Sequence, residues 1–213
     1  MGEIILVRHG QANSAATTEE DYDRLSDLGW EQARLLGQWM EAHAYEFDHI
    51  LSGTLRRHRE TAEGMGIAPE EDARLNEIDY YRLSHSLRDR HGEPLPTNDT
   101  FADHMPKVFA AWAKAEIEGA EPYEAFEARI AELLAEAAVP GRRLLCVTSG
   151  GVIGMVLRQL LELDLMKMSR VMLPIWNTSL HRLHVRPGET MLAGYNAIPH
   201  LEGAAHAASR THV

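Results

Sequence analysis

Two residues near the start of the chain, Arg8 and His9, are well suited to phosphoryl chemistry. An imidazole nitrogen can attack phosphorus, and a neighbouring guanidinium can hold two phosphoryl oxygens at once. Three later segments carry groups that such a reaction needs. Arg56-Arg57-His58-Arg59 is a basic cluster at the start of a helical pattern, where backbone N–H groups and guanidinium donors can face an anion together. Glu77, in Leu75-Asn76-Glu77, can give a proton to a leaving oxygen and later take one from water. Ser149-Gly150-Gly151 follows an apolar strand pattern and opens a helix, which makes an anion site of the helix N-terminus. Each has an ordinary alternative when taken alone: a solvated helix face, a surface carboxylate and a helix cap.

The elements that must position these groups read as a mixed α/β chain. Ile4 to Val7 is a short buried strand that delivers Arg8 and His9 to its carboxyl end, and Gly10 is expected to let the backbone turn there. Ser26 precedes a helix with Trp30, Ala33, Leu36 and Met40 on one stripe. Phe47 to Ser52 reads as a strand, Thr54 to Met65 as a basic helix, Leu75 to Asp79 as irregular and His91 to Asp99 as a loop. Helical stripes follow at Phe101 to Trp112, where Pro106 obscures the start, and at Phe126 to Leu134, with Pro122 in the first turn. Arg143 to Thr148 is a strand buried on both faces, and the helix after it carries Val152, Val156, Leu160 and Leu163. Ser179 to Val185 and Thr190 to Tyr195 flank Pro187-Gly188 as a hairpin. The expected fold is a three-layer α/β/α sandwich: a mostly parallel sheet with helices on both faces and a small helical insertion at about 81–138. It forms one domain over 1–202, with 203–213 a disordered tail.

Composition narrows the function classes. A net charge of −11 argues against nucleic acid or an anionic membrane surface as the partner. Cys146 is the one cysteine, so no internal disulfide forms, and its apolar surroundings place it in the core. No apolar stretch approaches membrane-spanning length, and a cytoplasmic location is expected. Most of the 12 histidines are expected at the surface, and none shows metal-ligand spacing, so neither metal nor cofactor is expected.

Together these segments resemble the histidine phosphatase superfamily, which includes phosphoglycerate mutase. The resemblance rests on Arg8-His9-Gly10, on Leu55-x-Arg57-x-x-x-Thr61-Ala62 and on the Ser26-Asp27-Leu28-Gly29 helix start, and it runs to about Leu201. It implies that His9 is a nucleophile forming a phosphohistidine and that Glu77 is the general acid and base. Arg8 and Arg57 would hold the phosphoryl oxygens, with Ser149, Gly150 and Asn13 further phosphate contacts. The family has a second histidine where this chain has Ser149. A hydroxyl brings no charge, and losing one preorganised donor costs about a hundredfold to a thousandfold in rate. The expected activity is therefore phosphomonoester hydrolysis, impaired by Ser149, on a small phosphomonoester with inorganic phosphate as the other ligand. Two alternatives stay open: a weak or inactive phosphate-binding module, and a phosphoglycerate mutase-type phosphotransferase. A homodimer is compatible with either.

Overall fold

The computed structural model describes residues 1–14, 16–97 and 99–212. Strands β1 (Gly2–Arg8), β2 (His49–Ser52), β3 (Glu70–Glu71), β4 (Arg143–Thr148), β5 (Leu180–Arg186) and β6 (Glu189–Ala197) form one sheet in the order β3-β2-β4-β1-β5-β6. The first four run parallel, and the β5–β6 hairpin adds an antiparallel edge beside β1. Successive residues of a strand face opposite sides, and here both sides are covered. Ile5, Val7, Leu145 and Val147 pack under α2 (Asp27–Ala42) and α3 (Arg56–Gly64). Ile4, Leu6, Leu144 and Cys146 pack on the other face, under α4 (Tyr80–His91), α5 (Phe101–Ala113), α6 (Tyr123–Ala137), α7 (Gly150–Leu161) and α8 (Leu165–Met172). Burial on both faces is why β1 and β4 are apolar without alternation. The short helix α1 (Glu19–Tyr22) lies in the loop after β1. Among the described residues, no helix is long and apolar enough to cross a membrane.

Local physics accounts for most helix ends. The Ser26 hydroxyl accepts from the Gly29 N–H (3.1 Å) and starts α2. Helix α4 falls within the helical insertion expected at about 81–138 but was not read as an element of its own. It buries only Leu83, Ser84 and Leu87, too thin a stripe to show as periodicity. Its ends are nevertheless marked, by the Asp79 carboxylate on the Arg82 N–H (2.9 Å) and by Gly92 at φ 72°. Pro106 lies inside α5 rather than marking its limit. The long helix expected to reach Leu163 is broken by Glu162 at φ 53°, and Asp164 caps a separate α8. Gly10 acts through space rather than through an unusual backbone angle. A Cβ there would lie 2.5 Å from the Gly29 carbonyl oxygen, so the two chains pass in near contact.

The segment from Gly203, expected as a disordered tail, carries a 3-10 turn over Ala204–Ser209. It packs on buried Gln32, whose amide donates to the Ser209 carbonyl (2.7 Å) and the Thr211 hydroxyl (2.8 Å). Cys146 is buried as expected, and burial pushes its thiol up to about 12.

His9, His58, His104, His181 and His200 are buried. Burial, aided by Arg8, pushes His181 down from 6.5 to about 3; burial, aided by His206, pushes His200 down from 6.5 to about 4. In the unfolded chain both titrate near 6.5. Below that pH the unfolded state binds more protons, so stability is full above pH 6.5 and is lost as pH falls towards about 4 for His200. Urea unfolding at pH 7.5 and 5.0 should therefore show a loss of stability in the wild type that is smaller in His200→Gln by ~1–2 kcal/mol. Equal losses in the two proteins would contradict this assignment.

Candidate active site

His9 lies immediately beyond β1, and its backbone N–H donates to the Thr148 carbonyl at the end of β4 (2.8 Å). Parallel pairing of β1 with β4, with Arg8 opposite Thr148, thus puts His9 beside the start of α7. The imidazole Nδ1 is 2.7 Å from the Gly10 carbonyl oxygen. A carbonyl can only accept, so Nδ1 carries the hydrogen, and in the neutral ring Nε2 has a free lone pair. Burial, reinforced by the charges of Arg57 and Arg8, holds His9 well below the usual histidine range. The ring is a neutral base at physiological pH. The first and second motifs meet here: the Gly10 N–H donates to the Thr61 hydroxyl (3.0 Å), which donates to the Arg57 carbonyl (2.7 Å).

Arg57 is fully buried. Its Nη1 donates to Glu19 (2.7 Å) and Asp23 (3.1 Å), and its guanidinium carbon stands 5.1 Å from the centre of the Tyr22 ring. Arg8 donates through Nη1 to the carbonyls of Ile175 and, at 2.8 Å, His212. Among the described residues, neither arginine Nε has a hydrogen-bond partner. Tyr22 also meets His9 edge-on, with ring centres 6.4 Å apart. The acidic segment of α1 therefore covers the His9–Arg57 end of the site. Burial pushes the Glu19 carboxyl up, against the pull of Arg57.

Glu77 approaches from the opposite side. Its Oε2 accepts from the Gly151 N–H (2.8 Å) and its Oε1 from the Ile78 N–H (2.9 Å). A Cβ on residue 151 would lie 2.2 Å from Oε1, so only glycine admits the carboxylate here. The segment before Glu77 is clamped by Arg129 of α6, which donates to the carbonyls of Arg74 (2.5 Å) and Asn76 (2.8 Å). The Thr148 hydroxyl donates to the Leu75 carbonyl (2.7 Å) and ties the same segment to β4.

Arg8, His9, Arg57, Glu77 and Gly150 line one cavity of about 390 Å³. Asn13 and Ser149 do not line it. The Asn13 amide donates to the Asp21 carbonyl (3.1 Å) and is spent on shaping the loop. Ser149 occupies the N-cap position of α7, yet its hydroxyl caps nothing and instead lies 2.6 Å from His58 Nε2. Both helix N-termini expected to receive an anion hold carboxylates: Asp23 accepts from the N–H groups of Arg56 (2.9 Å) and Arg57 (3.1 Å), and Glu77 from Gly151. Glu19, Tyr22 and Arg129 were missed from the sequence, whereas His58 stood in the basic cluster but its spacing gave no support for a place beside Ser149. A signal for its burial was present, since Arg57, His58, Thr61 and Ala62 form a buried i, i+4 face on α3. Glu19 and Arg129 act across long stretches of chain and leave no local pattern.

Comparison with known proteins fits this arrangement. The model of the histidine phosphatase superfamily (branch 1) matches residues 4–198, and the chain belongs to that superfamily. The mitochondrial serine/threonine-protein phosphatase Pgam5 of Drosophila willistoni is 33% identical over 107 residues, 49% of this chain and 33% of the fly protein. A 2,3-bisphosphoglycerate-dependent phosphoglycerate mutase of Methylorubrum populi is 35% identical over 91 residues, 38% of this chain and 43% of that protein. The matches thus span less than half of these relatives. A phosphoserine phosphatase variant from Entamoeba histolytica, solved with phosphoserine, superposes with a TM-score of 0.70 at 19% identity, covering 94% of this chain and 100% of that one. At that identity the likeness concerns the fold. The relatives that the chain matches include phosphatases and a mutase.

A phosphate held by Arg57 would compete with Glu19 for its guanidinium. Glu19→Gln should lower the Ki of inorganic phosphate about three- to tenfold, ~0.7–1.4 kcal/mol, measured by inhibition of aryl phosphate hydrolysis. An unchanged or higher Ki would show that Glu19 does not stand in the phosphate's place.

Proposed function

We propose that the chain is a phosphomonoester hydrolase acting through a phosphohistidine on His9. The observation that carries this reading is a neutral His9, with its Nε2 lone pair free, sharing one cavity with two arginines and the Glu77 carboxyl group. In the first step Nε2 attacks phosphorus, and the P–N bond forms as the ester P–O bond breaks. The leaving oxygen takes the proton carried by Glu77. Positive charge developing on the ring is held by the Nδ1–H bond to the Gly10 carbonyl. Water then attacks phosphorus, its proton passes to Glu77, and the P–N bond breaks to leave inorganic phosphate and neutral His9. Arg8 and Arg57 neutralise the equatorial oxygens in both steps, where most of the catalytic work of phosphoryl transfer lies.

The rest of the cavity indicates the substrate. Tyr80, Tyr81, Phe101, Met105 and Phe109 form apolar walls, whereas among the described residues the lysines and arginines that line it are Arg8 and Arg57. This suits one phosphate on an apolar or aromatic body. A bisphosphorylated glycerate carries three anionic groups and would find cations for one, which favours hydrolase over mutase. Burying about 100 Å² of apolar surface is worth ~2.5 kcal/mol, so naphthyl phosphate should be hydrolysed with kcat/KM about 50-fold above 3-phosphoglycerate.

His9→Ala should abolish turnover, by about 10⁴-fold or more. Glu77→Gln should reduce kcat by about 10²–10⁴-fold for any ester, because water attack needs the same carboxylate as base, while kcat/KM should fall as far for a poor leaving group and much less for a nitrophenolate, which leaves without a proton. Wild type and His9→Ala giving the same background rate would favour the phosphate-binding module instead.

A further inference from the structure

His58 is an imidazole that the proposed reaction does not use. It belongs to α3, is fully buried, and its ring centre lies 5.8 Å from that of His9. Its Nε2 is 2.6 Å from the Ser149 hydroxyl, and Ser149 is also fully buried. The ring is seated against Gly53, where a Cβ would lie 2.1 Å from Nδ1. Among the described residues, Nδ1 has no hydrogen-bond partner. Burial and the Arg57 charge hold His58 well below the usual histidine range, so the ring is neutral and carries one hydrogen. A buried N–H without a partner is rarer in folded proteins than an unpaired acceptor. The hydrogen therefore belongs on Nε2, donated to Ser149 Oγ. This leaves the Ser149 hydroxyl proton free to point elsewhere, with Gly150, the next residue, lining the cavity.

We propose that His58 is a positioning residue that orients the Ser149 hydroxyl as a hydrogen-bond donor to the phosphoryl group on His9, so that the two residues together take the role the family gives to a second histidine. His58 follows Arg57 directly on α3, and its ring stands 5.8 Å from that of His9, on the side where Glu19 pairs with Arg57. The pair's two linked hydrogen bonds reinforce one another, since donation from His58 polarises the hydroxyl it orients. Unlike a protonated imidazole, the pair adds no charge and does not depend on a second histidine staying protonated.

The inference rests on the phosphatase reading, and the experiment separates the two. Aryl phosphate kinetics and thermal melts are compared for wild type, His58→Phe, His58→Gln, Ser149→Ala and the His58→Phe/Ser149→Ala double variant. Each of His58→Phe and Ser149→Ala should lower kcat about 10²-fold with KM changed less than about threefold, and the double variant should be no worse than either single one. His58→Gln retains an N–H donor and should recover activity to within about tenfold of wild type. Retained kcat in His58→Phe, or multiplicative losses in the double variant, would overturn the role of His58 while leaving the phosphatase intact. No activity in wild type above His9→Ala would overturn both. Should His58→Phe fail to fold, nitrogen-15 histidine NMR of the wild type decides: hydrogen on His58 Nε2 is expected, and hydrogen on Nδ1 overturns the proposal.

Discussion

A guanidinium with no exposed surface must have an anion against it, because an unpaired buried charge costs several kcal/mol. Arg57 is in that position, and the site is organised around it. In the free protein Glu19 and Asp23 satisfy it from the loop after β1. The two carboxylates differ in what else they do. Asp23 also caps α3 through two backbone N–H groups, so it belongs to the scaffold. Glu19 has no such second task among the described contacts and is the partner that the proposed phosphate would replace. The same burial keeps His9 neutral, and the neutral ring is what a nucleophile at nitrogen requires.

The scaffold fixes these groups by pairing strands and then tying loops. Register between β1 and β4 puts His9 beside Thr148, and Thr148 in turn holds Leu75 two residues before Glu77. Thr61 links the first motif to the second through Gly10 and Arg57. Arg129 brings α6 into this network, so the helical insertion does more than cover the sheet. It also supplies apolar cavity walls from α4 and α5.

Much of this was legible in the residues. β1 and β4 announced themselves because strands covered on both faces are apolar throughout, and Ser26 marked a helix start with its own hydroxyl. The cavity residues were legible because Arg8 and His9 sit at the end of β1, Arg57 in the first turn of α3 and Glu77 just after a short 3-10 turn. Helix α4 was hidden by its polar composition, and only its caps betrayed it. Ser149 shows where local inference stops: its position suits a helix cap, yet its hydroxyl turns to a histidine 91 residues away in sequence. Contacts of that span come from topology, and no spacing rule reports them.

Convergence of His9, Arg8 and Arg57 on one oxyanion is the central claim, and a crystal structure of the protein with orthovanadate tests it most directly. Vanadium should lie at bonding distance from His9 Nε2, with its oxygens on Arg8 and Arg57 and the Glu19 carboxylate moved off the guanidinium. Vanadate bound away from His9, with Glu19 still paired to Arg57, would contradict it.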